Sequence, residues 1–233
     1  MPRTMLTDQH WLKLKSIVHN FGIYLKHNLR NFIEAILYRI RTGCPWHDLP
    51  EVFGKPNSIF KKFTRWCKDS KLLKIFKLLS SRADLEWVFI DASHVRAHQH
   101  ATGIKDQAIS KSVGGNSSKI HLAVDANGNP IEFIIGDGTT HDVKVAPDLI
   151  DCLDFKETEI LCADKGYDSE SLREKIENTR TKANIPKKSN SKSSNEHMDW
   201  YLYKIRHLVE NLFARLKQFR GVATRYDKLK QNY

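Results

Sequence analysis

Four polar residues at helical spacing lie near the C-terminus: Tyr203, Arg206, Glu210 and Lys217. Offsets of 3, 7 and 14 residues from Tyr203 place them close to one line on a helix of about 3.6 residues per turn. The opposite face of the same segment is apolar, with Ile205, Leu208, Val209, Leu212, Leu216 and Phe219. The pattern predicts an amphipathic helix over residues 199–219 whose back is buried, so the rest of the chain must supply a core for it.

The polar face of this helix carries a single carboxylate, Glu210, among two cations and a tyrosine. A lone acid in a basic setting suits a site that holds a metal ion together with a phosphodiester. The plain alternative is a solvated helix face with unrelated charges, which is the commoner case for amphipathic helices. Two acidic residues earlier in the chain favour the site.

Asp91 and Asp164 each follow a short apolar segment. Runs rich in β-branched and aromatic residues predict buried strands, here over residues 87–92 and 158–163. An aspartate at the C-terminal end of a strand lies where open α/β sheets bind ligands, although such residues are also common turn formers. Together with Glu210 they predict a site of three carboxylates, and such hard oxygen ligands favour Mg²⁺ or Mn²⁺.

Charge is distributed unevenly along the chain, whose net charge is +11. Residues 1–80 hold 15 Lys and Arg against 5 Asp and Glu, residues 81–180 hold 11 against 18, and residues 181–233 hold 12 against 4. An acidic middle between basic ends fits an enzyme that gathers metal ions in a cleft and binds DNA at its edges. Charge also drifts along chains that bind no polyanion, so the distribution agrees with this interpretation without proving it.

The first 80 residues predict a small all-α domain. Helical periodicity covers residues 7–20, 28–42 and 57–68, with Asn57 or Ser58 as the cap of the third helix, and a connecting helix covers residues 71–80.

The third helix of this region is basic. Lys61, Lys62 and Arg65 are expected to lie mostly away from its apolar face, and a helix, a turn and a basic helix in this order are typical of a helix-turn-helix module that binds DNA. The alternative is an ordinary helical cap with Lys-rich solvent faces.

Residues 81–233 predict a mixed α/β domain. Further strands are expected at residues 119–125 and 130–135, joined by a hairpin turn, and at 182–186, with helices at 142–151 and 169–178. With the two strands before the aspartates and the C-terminal helix, the order of elements is β-β-β-α-β-α-β-α.

The chain resembles DDE transposases of the insertion-sequence-five family, within the broader insertion-sequence-four-like group. The resemblance is carried by Ile90-Asp-Ala-Ser93, by Ala163-Asp-Lys-Gly-Tyr-Asp168, and by the spacing of Tyr203, Arg206, Glu210 and Lys217. Arg41–Pro50, Lys119–Asp125, Thr140–Asp142 and Phe219–Lys228 are also similar, so the likeness covers nearly the whole chain in the expected order.

The resemblance implies a ribonuclease H-like catalytic domain at residues 81–233. It implies that Asp91, Asp164 and Glu210 hold two Mg²⁺ or Mn²⁺ ions and cleave DNA at insertion-sequence ends, after which the freed 3′-OH attacks target DNA. Arg206 and Lys217 would contact phosphates, and Tyr203 would pack near the terminal nucleotides. The partners implied are the terminal inverted repeats, target DNA and further copies of the chain, as a homodimer or a higher oligomer.

Family members usually continue through another apolar segment after the position of Tyr233. We therefore expect a truncated C-terminus, with part of the apolar back of the last helix, at Leu212, Leu216 and Phe219, left exposed.

Other features narrow the class of protein. Cys44, Cys67, Cys152 and Cys162 show no metal-ligand spacing and are expected to be free thiols. No signal segment and no membrane-spanning apolar run is apparent, so a cytoplasmic protein, associated with the nucleoid when bound to DNA, is expected.

Two alternatives stay open. One is a metal-dependent nuclease that cuts DNA without strand transfer, and the other is a non-catalytic DNA-binding protein derived from a transposase.

Overall fold

The structure is a computed structural model, and it describes residues 3–20, 28–191 and 194–233. Its N-terminal region consists of helices α1 Asp8–Asn20, α2 Leu29–Thr42, α3 Pro56–Lys68 and α4 Lys71–Leu79. Their apolar faces form one buried cluster that includes Phe32, Phe63 and Trp66.

Helix α3 begins earlier than predicted. It begins at Pro56 with Lys55 as the preceding residue, and neither Asn57 nor Ser58 caps it. Proline suits the first position of a helix because its fixed φ fits the helix and its missing N–H would have no partner there. The buried face carries Ile59, Phe63 and Trp66, whereas Phe60 is exposed.

In the part of the chain that the structure describes, seven strands form a single mixed sheet. They are β1 Trp87–Ala97, β2 Ser110–Ser112, β3 Gly115–Val124, β4 Pro130–Asp137, β5 Ile160–Cys162, β6 Lys182–Asn184 and β7 Thr224–Arg225. The order across the sheet is β4-β3-β1-β5-β6, with β2 beside the start of β3 and β7 beside the end of β1. Strand β1 is antiparallel to β3 and parallel to β5 and β7.

Strand β1 is longer than its apolar run, since it continues to Ala97 where residue 92 was the predicted end. Its polar second half pairs with the polar first half of β3, so that His94 lies opposite Lys119 and Arg96 lies opposite Ser117. Backbone hydrogen bonds hold this part of the ladder whatever the side chains are, which is why hydrophobic periodicity did not reveal it. The short strand β2 was missed for the same reason.

Helices cover both faces of the sheet. Helices α5 Asp142–Asp151 and α6 Glu170–Glu177 pack on one face. The opposite face is covered by α7 Trp200–Ile205, α8 His207–Lys217 and α9 Arg220–Ala223, whose apolar residues pack with Phe89 and Leu122 of the sheet. The mixed sheet, its helices and the preceding helical region agree with the predicted ribonuclease H-like α/β fold.

The predicted helix over residues 199–219 is interrupted at Arg206 and ends at Lys217. The side chain of Asp199 caps its start by accepting from the backbone N–H of Leu202 at 2.9 Å. At the interruption, the N–H groups of Arg206 and Val209 bond carbonyls three residues back, at 3.3 and 3.1 Å. These shorter-range bonds tighten the turn between α7 and α8.

The apolar back of α8 is covered within the described chain. Leu212 is buried, and Leu216 and Phe219 are half-buried. Val222 and Tyr233 pack against the same cluster, and the hydroxyl of Tyr233 donates to the carbonyl of Val222 at 2.6 Å. The expected exposure is therefore wrong for Leu212, whereas Leu216 and Phe219 keep part of their surface accessible.

All four cysteines carry free thiols, as expected. Across the ranges that the structure describes, no helix is both long and apolar enough to cross a bilayer.

Candidate active site

Asp91 lies within β1 and not at its end, which corrects the prediction of a strand-end aspartate. The parallel pairing of β1 with β5 stops at Phe89 and Cys162, so Asp91 lies just beyond the point where its neighbour ends. Its Oδ1 accepts from the N–H of Ala92 at 2.8 Å, and its side chain is 20% exposed. The ending of β5, rather than the ending of β1, opens the space beside Asp91.

Asp164 lies at the same edge of the sheet. Both aspartates are two residues beyond the paired residues Phe89 and Cys162, and they are close enough for the charge of Asp164 to raise the pKa of Asp91. The Oδ1 of Asp164 accepts from the N–H of Gly166 at 2.8 Å, which starts a short helical turn over Lys165–Tyr167. The turn directs the chain away from the sheet and leaves the other oxygen of Asp164 outside this bond.

Arg206 connects Asp91 to Glu210. Its Nη1 donates to Oδ2 of Asp91 at 3.1 Å, and its Nη2 donates to Oε1 of Glu210 at 2.6 Å. One guanidinium thus bridges the carboxylate from the sheet and the carboxylate from α8. Arg206 is 15% exposed at its side chain, whereas Glu210 is 53% exposed.

The electrostatics of the site reflect this bridge. Burial raises the pKa of Asp91 above its ordinary value. The hydrogen bond from the N–H of Ala92 and the positive charge of Arg206 lower this pKa, while the negative charges of Asp164 and Glu210 raise it. Burial disfavours the charged form of Arg206, but the carboxylates of Asp91 and Glu210 outweigh burial and raise its pKa. The guanidinium therefore stays charged and compensates part of the acidic cluster.

The donor set fits a hard divalent cation, because all three acids offer carboxylate oxygens. The arrangement is not that of a preassembled metal site, since in the described part of the chain no three His, Cys, Asp or Glu side chains are grouped closely enough to hold an ion. The Arg206 guanidinium already binds one oxygen of Asp91 and one oxygen of Glu210.

Lys217 is held by a residue that sequence analysis did not single out. Its Nζ donates to Oγ of Ser93 at 2.6 Å. Ser93 follows Asp91 by two residues on β1, so both side chains point to the same face of the sheet. The alternation of a strand through Ile90-Asp-Ala-Ser93 was the signal that could have found it.

Tyr203 lies next to Arg206, with the guanidinium carbon 5.7 Å from the centre of its ring. Trp200 packs edge-on against the same tyrosine, at 5.6 Å between ring centres and 84° between ring planes. Trp200 is 48% exposed, so an aromatic pair lies at the start of α7 with its tyrosine next to Arg206.

On the opposite face of the sheet, Asp142 accepts from the Nζ of the buried Lys119 at 2.9 Å. His121 is fully buried beside it, and its pKa is lowered to about 4 by burial and by the positive Lys119. His121 pairs in register with Ala92 rather than with Asp91, so this cluster supports the sheet from behind.

The basic residues of α3 divide into two kinds. Lys61, Arg65 and Lys68 are exposed. Lys62 is half-buried, and its ammonium lies 4.1 Å from the ring centre of Phe32 and 5.5 Å from that of Trp66. Lys62 therefore packs over aromatic rings, while Lys61 and Arg65 extend into solvent.

Two family models match the chain. Residues 83–233 match the transposase DDE domain, and residues 6–76 match the putative transposase of the IS4/5 family. The chain belongs to the DDE transposases of insertion sequences of the IS4/5 type. Members of this family are enzymes that use divalent metal ions.

Individual relatives agree with this assignment. The chain is 33% identical over 125 residues to the uncharacterised protein y4sN of Sinorhizobium fredii, covering 52% of this chain and 95% of that protein. It is 36% identical over 113 residues to a putative transposase for insertion sequence element IS6501 of Brucella ovis, covering 48% of this chain and 85% of the relative.

Among solved structures, the chain is similar to a piggyBac transposase in a synaptic complex with hairpin DNA. The sequence identity is 12% and the TM-score is 0.42, over 77% of this chain and 48% of that one. The chain thus spans about half the length of that structure.

Proposed function

We propose that this chain acts on the ends of its own insertion sequence, with Asp91, Asp164 and Glu210 as the catalytic carboxylates. The observation that supports it is their arrangement. Asp91 and Asp164 lie two residues beyond the same strand pair, and Arg206 binds both Asp91 and Glu210. One acid from a strand, one from a loop and one from a helix would then supply the metal ligands at this edge of the sheet.

The three carboxylates would hold two Mg²⁺ or Mn²⁺ ions. When bound, such ions activate an attacking water or hydroxyl and stabilise the leaving oxygen of a phosphodiester. The reaction would first hydrolyse the phosphodiester at the element end, and the freed 3′-OH would then attack target DNA. Asp91 and Asp164 are anchored for this role, because one oxygen of each already accepts a backbone N–H.

Lys217 and Arg206 would bind the phosphates that flank the cleaved bond. Arg206 binds Asp91 and Glu210 and is partly accessible to solvent, and Lys217 is exposed and binds Ser93, two residues after Asp91. Tyr203 would stack near the terminal nucleotides. Residues 1–80 would bind the terminal inverted repeats, and Lys61 and Arg65, two exposed cations of α3, would contact their phosphates. Two element ends must meet in one complex, so the active species would be a homodimer or a higher oligomer.

The test is the substitution Glu210→Gln, which removes a metal-ligand charge and keeps the shape of the side chain. Cleavage of a labelled DNA end in Mg²⁺ should be lost, while binding of the same DNA should remain. The matched control is Glu174→Gln, on the exposed face of α6, which should cleave like the wild type. Wild-type cleavage by the Glu210→Gln protein would contradict the assignment.

A strand-transfer assay with pre-cut ends separates the two remaining alternatives. Cleavage without joining of pre-cut ends would identify a nuclease. Specific binding without cleavage in Mn²⁺ would identify a non-catalytic DNA-binding protein.

A further inference from the structure

The position of Arg206 leads beyond the proposed reaction. Its guanidinium uses Nη1 for Asp91 and Nη2 for Glu210, while its buried Nε has no hydrogen-bond partner among the described residues. A bridge that satisfies only part of a buried guanidinium is less stable than one that satisfies all of it. Displacing Arg206 from the two carboxylates would therefore break hydrogen bonds at Nη1 and Nη2 but none at Nε.

Arg206 binds one oxygen of each of two carboxylates that would hold a cation in this site. Oδ1 of Asp91 is already bound by the N–H of Ala92, which leaves Oδ2 as the oxygen directed to Arg206. The second hydrogen bond uses Oε1 of Glu210. A divalent ion that binds Asp91 and Glu210 together therefore competes with the guanidinium for the same two carboxylates.

The backbone at Arg206 is suited to such an exchange. Arg206 is the residue between α7 and α8, in a turn closed by bonds to carbonyls three residues back. Glu210 lies on the next turn and is half exposed, so its carboxylate can change partner at the surface. Tyr203 lies against the guanidinium on the other side and offers it an aromatic face.

We propose that Arg206 is an internal counter-ion for Asp91 and Glu210, which holds the two carboxylates together in the metal-free protein and is displaced when a divalent ion binds. This inference rests on the proposed function, because it requires that these carboxylates bind metal. Displacement leaves the guanidinium beside the site with its charge unpaired, which makes it available for a DNA phosphate. Metal binding and phosphate binding are then coupled through one side chain.

The experiment is a titration of the full-length, chelator-treated protein with Mn²⁺ by isothermal titration calorimetry, without DNA. Arg206→Gln removes the positive charge and replaces the planar guanidinium by a planar, neutral amide. Because Mn²⁺ no longer has to displace a guanidinium, the variant should bind Mn²⁺ more tightly by roughly tenfold, the usual scale of coupling between two ligands.

The matched control is Lys217→Gln, which removes one positive charge from the same site. Among the described residues Lys217 binds Ser93 and no carboxylate, so this variant should change Mn²⁺ affinity much less than Arg206→Gln. Equal tightening in both variants would show that general charge, and not displacement, sets the affinity, and would overturn the proposal. Unchanged or weaker Mn²⁺ binding by Arg206→Gln would overturn it as well.

A second variant covers the case in which Arg206→Gln does not fold. Arg206→Lys keeps the charge, but a single ammonium cannot form the fork that joins the two acids. Its Mn²⁺ affinity should lie above that of the wild type, and its melting temperature should rise more on addition of Mn²⁺. Wild-type values for both quantities would contradict the counter-ion role.

The variant Asp91→Asn separates this proposal from the proposed function. If the wild type binds Mn²⁺, Asp91→Asn weakens the binding and neither Arg206 variant tightens it, only the counter-ion role fails. If the wild type and the Arg206 variants bind no Mn²⁺, the metal site fails and both proposals fall with it.

Discussion

Arg39 of α2 and Asp227 of the C-terminal segment form a two-pronged ion pair although 188 residues separate them. Nη1 donates to Oδ2 at 3.0 Å and Nη2 donates to Oδ1 at 3.2 Å, and the two side chains are 11% and 12% exposed. The guanidinium also lies 4.4 Å from the ring centre of Trp46. This pair attaches the helical region to the segment whose strand β7 pairs with β1.

Breaking this pair should destabilise the whole chain. Asp227→Asn leaves the charge of Arg39 buried without its partner, and such changes typically cost about 3–5 kcal/mol of unfolding free energy. Denaturant unfolding of the variant measures the loss. The control is Asp8→Asn, because Asp8 also forms an ion pair with an arginine, Arg30, but is 89% exposed, and exposed pairs contribute little. Similar losses in both variants would refute a special role for the Arg39 pair.

The parts of this structure that sequence revealed are those where side-chain periodicity follows the backbone. The apolar runs before Asp91 and Asp164 located both strands, and the 3.6-residue spacing placed Glu210 on the same helix face as Arg206, which binds it. The ion pair of Arg39 and Asp227 was not predictable in this way, because the pairing of charges that are distant in sequence depends on the tertiary fold. The bridge from Arg206 to Asp91 was missed for the same reason, since the helix pattern shows which residues share a face but not which partner they meet.

Ser93 should position Lys217. Ser93→Ala removes the acceptor of the Lys217 ammonium, and a net hydrogen bond of about 1 kcal/mol corresponds to roughly a fivefold loss. We expect this loss in the KM for DNA, with little change in kcat, because the lysine would bind the phosphate less well. Ser93→Thr keeps the hydroxyl and should restore activity. An equal deficit in the Ala and Thr variants would show that packing, and not the hydroxyl, matters at this position.

The exposed cations of α3 should contribute to DNA affinity through counter-ion release. In the full chain, replacing Lys61 and Arg65 by Ala should lower affinity for the element end and reduce the slope of log K against log salt by about 0.9 for each phosphate that the protein no longer neutralises. Fluorescence anisotropy at several salt concentrations measures the slope. The control replaces Lys156 and Lys182, two exposed lysines near the start of β5 and β6. An unchanged slope after the α3 substitutions would place the DNA elsewhere.

His121 should make the stability of the fold depend on pH. It is 1% exposed, and neither ring nitrogen has a hydrogen-bond partner among the described residues. Burial lowers its pKa to about 4, with Lys119 and His94 lowering it and Asp142 and Asp137 opposing them. The neutral ring is therefore the form that the folded protein accommodates.

The sign of the effect follows from the direction of this shift. Between the ordinary histidine pKa of about 6.5 and the lowered value, the unfolded chain binds a proton that the folded chain does not, so the folded state loses up to about 1.4 kcal/mol per pH unit as the pH falls. Above that range the contribution of the neutral His121 ring to the stability of the fold is fully present.

His121→Gln cannot titrate, so the difference in unfolding free energy between wild type and variant should shrink as the pH falls from 6.5 to 5. Denaturant unfolding at several pH values tests this, and the comparison cancels the carboxylates that titrate in both proteins. Parallel curves over this range would show that His121 protonates equally in both states, and the buried neutral ring would then have no part in the acid lability of the fold.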